Sequence, residues 1–133
     1  MNPQYPKVAK RADHRCEYCR APESIFNFPF EVEHVIPISK GGTNNSENLA
    51  LSCRSCNLRK SNFTTAIDPQ SGTEVRLFNP RNDQWSEHME ANLDLGIITG
   101  KTDIGRGAVQ RLKMNGEPQV QARKLWTQLN LFP

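Results

Sequence analysis

FEVEHVIPISKGGTNNSENLALSCRSCNLRK, residues 30–60, holds the signals that set the architecture of this chain. Phe30-Glu-Val-Glu-His alternates apolar and polar residues, which predicts a strand with one face inward. Pro37 ends it, because proline cannot donate to a ladder. Gly41-Gly42 and Asn44-Asn45 mark a loop. Leu49-Ala-Leu51 predicts a second short strand, so the two form a hairpin with a long connection. Arg54 to about Phe63 predicts a helix that starts at Cys53-x-x-Cys56. The order is strand, strand, helix.

A second pair, Cys16-x-x-Cys19, lies upstream with 33 residues between the pairs. A C-x-x-C turn lets two thiolates reach one ion, and zinc takes four such ligands in a tetrahedron. Cys16, Cys19, Cys53 and Cys56 therefore predict a structural Zn²⁺ site, with the hairpin looped out between the pairs. Four sulfur ligands leave no open coordination position, so this ion does no chemistry. His14 is expected to be a surface residue.

The hairpin also carries Glu33 and His34, and Asn57 stands one residue past the second pair. A carboxylate and an amide oxygen suit a hard cation, Mg²⁺ or Mn²⁺. Imidazole is the side chain whose ordinary titration lies near neutral pH, so His34 suits general-base activation of water. Neighbours on a strand point to opposite faces, so Glu33 and His34 converge only where the strand end twists or bulges. A zinc deaminase would need H-x-E and P-C-x-x-C with one ligand position left for water, and the order here excludes it.

The rest of the chain is less dense in signals. Pro6 opens a short predicted helix to about Asp13. Hydrophobic residues make up 36% of the sequence, so a metal is a natural supplement to a small core. Net charge is +3, with nine Lys/Arg against six Asp/Glu in residues 1–66 and eight of each in residues 67–133. The basic excess thus falls on the half with the motif, and Arg54, Arg59 and Lys60 lie on the predicted helix without an acid between them. No apolar run approaches the ~20 residues needed to span a bilayer, and no leader-type core is visible, so a cytoplasmic protein is expected. Composition changes near Ile67, which predicts a core over residues 1–66 and an extension over 67–133. In the extension, strands are expected at 73–78, 85–92 and 97–99. A helix from Thr102 or Asp103 to about Met114 and a last helix from Pro118 to Leu129 follow, the latter with Ala122, Leu125, Trp126 and Leu129 inward. Trp85 and Trp126 are expected in the core, and His88 in a packing or surface role.

EHVIP…GGTNN…ENLALSCRSCNLRK, with CEYC upstream, resembles the HNH endonuclease family in its cysteine-bearing ββα-metal form, over about residues 11–63. The resemblance implies an α+β fold: a small ββα-metal core with a structural four-cysteine zinc site, followed by a C-terminal α/β extension. It implies His34 as general base and Asn48 as a brace for the loop. Asn57 stands in the third motif position, and Glu33 where Asp is common; both would hold the catalytic cation. Asparagine at the third position argues against the two-histidine metal site of colicin type. Lys60 would lie near a phosphate, DNA would be the substrate, and the products a 5′-phosphate and a 3′-hydroxyl. The second half, with LFNPR (77–81) and TDIGRGAVQRLKMN (102–115), resembles extensions of bacterial members, and Arg81, Arg106 and Arg111 are candidates for phosphate contacts. The alternative is a zinc-stabilised DNA-binding module without catalysis, which would not need Glu33, His34 and Asn57 together.

Overall fold

The computed structural model describes residues 1–133. Helix α1 (Tyr5–Arg11) has Pro6 in its first turn, where a missing N–H is harmless, and buries Val8 and Ala9. The first cysteine knuckle follows as a turn. Glu17 stitches it to the later hairpin: its N–H donates to the Leu51 carbonyl and its carboxylate accepts the Leu51 N–H, both at 2.9 Å.

Strands β1 (Glu31–His34) and β2 (Leu49–Ser52) pair antiparallel, with Glu31 opposite Ser52 and His34 opposite Leu49. All four residues of β2 are buried, since the knuckle and α1 cover it. Helix α2 (Arg54–Lys60) comes next and completes a ββα unit. It ends three residues earlier than expected because Ser61 takes a positive φ of 49°.

A second hairpin, of β3 (Thr65–Ile67) and β4 (Glu74–Arg76), runs across the expected boundary near Ile67. Strand β3, at three residues, is too short to show alternation, and the sequence reading does not contain it. The expected strand over 85–92 divides: Trp85–His88 forms a helical turn, α3, and only Met89–Asn92 forms a strand, β5, paired with β6 (Ile97–Gly100). The turn brings Trp85 back onto the first knuckle, where its indole N–H donates to the Tyr18 carbonyl at 2.7 Å.

Helix α4 (Asp103–Arg111) starts at Thr102, whose hydroxyl accepts the Gly105 N–H at 3.0 Å. Helix α5 (Glu117–Gln128) departs from the expected stripe. Leu125 and Leu129 are 59% and 61% exposed, whereas Arg123 is 2% exposed. Arg123 turns inward because the carbonyls of Gly96 and Met114 need donors, and its guanidinium supplies them.

One apolar core runs from Val8 to Met114 and draws residues from both halves of the chain. No helix is long and apolar enough to cross a membrane.

Candidate functional site

Two neighbouring centres lie on the ββα unit. In the first, Cys16, Cys19, Cys53 and Cys56 are all buried, with their sulfurs within 4.8 Å of one another. The Cys19 and Cys53 sulfurs are 3.7 Å apart. A disulfide needs ~2.05 Å. A tetrahedral zinc with bonds of ~2.3 Å needs sulfurs ~3.8 Å apart, so the four residues fit that ion. His14 stays outside and pairs with Glu23 at 2.7 Å, as a surface histidine.

Cys53 does a second job. Its sulfur accepts the Cys56 N–H and caps α2, while its carbonyl accepts the Asn57 N–H at 2.9 Å. Asn57 is thus placed directly by the knuckle.

The second centre is a cavity of about 310 Å³ edged by Val32, Glu33, His34, Pro37, Ile38, Asn57 and Ser61. It brings Glu33, His34 and Asn57 together. The ladder is regular through His34, without a bulge. Strand β1 ends at His34, three residues before Pro37.

Glu33 is buried. One carboxylate oxygen accepts the Tyr18 hydroxyl, and the other lies 3.0 Å from Lys60 Nζ. Burial pushes the Glu33 carboxyl above its ordinary value, against the opposing pull of Lys60 and Tyr18. Burial, and the Glu33 charge beside it, hold the Tyr18 phenol well above its usual range, so it remains a donor. Asn57 donates through Nδ2 to Glu31, which leaves its Oδ1 without a protein donor. His34 Nε2 lies 2.7 Å from Asn44 Oδ1.

Asn48 sits where the loop needs a brace. It accepts the Ile36 N–H at 2.9 Å and donates to the carbonyls of Ile36 and Thr43 at 3.0 and 2.8 Å. Gly42 is required beside it, since a Cβ there would lie 1.8 Å from the Ile36 carbonyl oxygen.

The basic residues divide. Arg54 and Arg59 are exposed, with Arg54 paired to Glu31 at 2.9 Å. Lys60 corrects the sequence reading: it is 1% exposed and faces Glu33 and the His34 carbonyl rather than a phosphate. Arg81 is a second correction. It is mostly buried and paired with Glu17, so it anchors the extension to the first knuckle. Arg106 is likewise committed to Asp68, through two bonds of 2.9 Å, and Arg111 stacks over Phe63 at 3.9 Å.

Sequence reasoning passes over Glu31, Asn44 and Tyr18. Glu31 has a signal, because it shares a strand face with Glu33. Asn44 and Tyr18 have none, since their partners are set by how the loop and knuckle fold back.

The family model described as HNH endonuclease matches residues 16–63, which takes in both knuckles, the hairpin and α2. No curated protein and no solved structure matches the chain with significance.

Proposed function

We propose that this chain, which carries an HNH endonuclease family domain over residues 16–63, hydrolyses DNA phosphodiester bonds in the cavity between β1 and α2. The observation that carries this reading is that Glu33, His34 and Asn57 edge one cavity inside the matched domain. His34 takes the proton of the attacking water. Glu33 and Asn57 would hold a divalent cation, Mg²⁺ or Mn²⁺, which would supply charge stabilisation to the reacting phosphate.

The donors suit such a cation. A carboxylate has about four lone-pair sites, and Tyr18 and Lys60 use two of those on Glu33. Asn57 Oδ1 is free to coordinate because Glu31 engages the amide nitrogen. Lys60 favours the ionised form of Glu33 and fixes its direction. The lysine charge also makes the site less negative. Arg54 and Arg59, exposed on α2, meet the DNA backbone. Asn48 braces the loop and takes no part in bond cleavage. The products are a 5′-phosphate and a 3′-hydroxyl. Zinc on the four cysteines holds the shape of the unit and is not consumed by the chemistry.

Plasmid cleavage with Mg²⁺ or Mn²⁺ tests this. Wild type should nick or cut, and His34→Ala should lose about 10²–10⁴-fold in rate. Binding without cleavage by wild type, across metals and substrates, would favour a zinc-stabilised binding module. Equal cleavage by His34→Ala would remove His34 from the mechanism.

A further inference from the structure

His34 has two ring nitrogens, and the structure treats them differently. Nε2 lies 2.7 Å from the side-chain oxygen of Asn44, whereas no protein group is bonded to Nδ1. An amide oxygen only accepts hydrogen bonds, and a neutral imidazole has one donor and one acceptor nitrogen. We propose that Asn44 is a positioning residue for His34: its amide oxygen takes the Nε2–H, sets the ring orientation and leaves Nδ1 as the bare nitrogen. This rests on His34 being the base, and it says which of its atoms receives the proton.

A hydrogen bond between surface side chains holds little unless both are fixed beforehand. Here both are. The Asn44 carbonyl accepts the Gln4 side-chain amide at 2.8 Å, which ties the loop to α1. The Thr43 carbonyl accepts Asn48 Nδ2 at 2.8 Å, and the Gly42 N–H donates to the Pro37 carbonyl at 2.9 Å. The His34 backbone is fixed by its ladder to Leu49 and by Lys60 Nζ, 3.1 Å from its carbonyl oxygen. Asn48 therefore braces a loop whose working part is Asn44. A partner on the second ring nitrogen is the general device for choosing a histidine tautomer.

The test reads the tautomer directly, by long-range ¹H–¹⁵N NMR on the full chain loaded with zinc, at about pH 8, where an ordinary imidazole is neutral. The chain has three histidines, and His34→Gln assigns the signal. Wild type should show His34 as the Nε2–H form. Asn44→Ala should give averaged ring-nitrogen shifts with the other two histidines unmoved, and Asn44→Asp, which keeps an acceptor, should restore the single form. In plasmid cleavage, Asn44→Ala should lower kcat about 10-fold or more with KM little changed. An Nδ1–H form in wild type, or unchanged His34 shifts in Asn44→Ala, would overturn the assignment. So would cleavage by Asn44→Ala at the wild-type rate. A wild type that never cleaves would sink the nuclease reading alone, because the tautomer measurement needs no activity.

Discussion

Lys60 and Glu33 form a buried ion pair, with 3.0 Å between Nζ and Oε2 and side chains only 1% and 5% exposed. The pair joins the last turn of α2 to β1 beneath the candidate cavity. It sets where Glu33 can point, and it keeps Lys60 away from any DNA surface. The tyrosine of the first knuckle, Tyr18, closes the other side of the same carboxylate. The cavity wall is thereby coupled to the cysteine centre.

Removing the cation should be costly. Lys60→Met removes the cation that offsets the burial of Glu33, which costs about 3–5 kcal/mol. Urea denaturation of zinc-loaded protein would measure it. The double variant Glu33→Gln/Lys60→Met should lose less than the sum of the two single changes, because the shared partner is gone. Strict additivity would mean that the pair does not couple.

Zinc should be inseparable from folding. Cys53 is both a member of the buried four-cysteine cluster and the cap of α2. Cys53→Ser should therefore abolish stoichiometric zinc in elemental analysis and the cooperative unfolding transition together, as should a strong chelator applied to wild type. A variant that keeps its native circular dichroism without zinc would count against the centre.

Two arginines should behave in opposite ways. Arg81→Ala breaks the pair with Glu17, a side chain that also holds the Leu51 N–H, so the loss should appear as a lowered Tm. Arg59, exposed on α2, should leave Tm unchanged on substitution by alanine. It should weaken DNA binding across sequences and reduce the slope of log K against log salt by about 1. Fluorescence anisotropy at several salt concentrations separates the two.

Acid should act through the extension. Arg106 holds Asp68 well below the ordinary aspartate range, and Arg76 lowers Asp83 in the same way. A carboxyl depressed in the folded state contributes stability above its ordinary value, 3.8, and loses it as pH falls through the folded value. Asp68→Asn should thus be less stable than wild type at neutral pH, and the gap should narrow below about pH 4. Tm measured from about pH 7 to about pH 2 would show it, and a gap independent of pH would contradict the linkage.

The ββα order is legible because each of its signals is local. Alternation before Pro37, the Gly41-Gly42 turn and the helix after Cys53 each depend on neighbours a few residues away. The knuckles are legible for the same reason, as each is a four-residue turn with chemically distinctive side chains. Strand β3 escapes sequence reading because three residues hold too little pattern. The inward face of helix α5 escapes it because periodicity assigns an arginine to solvent, and only the unpaired carbonyls of Gly96 and Met114 explain its burial.

Two cysteine pairs, the hairpin and helix, and the candidates Glu33, His34 and Asn57 are all visible in the amino-acid string. What each polar group is committed to depends on packing. Lys60 and Arg81 look like free cations in a string of residues, but packing buries them against Glu33 and Glu17. Asn57 meets Glu31 across 26 positions, and Arg81 meets Glu17 across 64. Periodicity specifies which face a side chain takes, but not which distant element will cover that face. Desolvation then leaves a buried charge no stable option except its nearest partner.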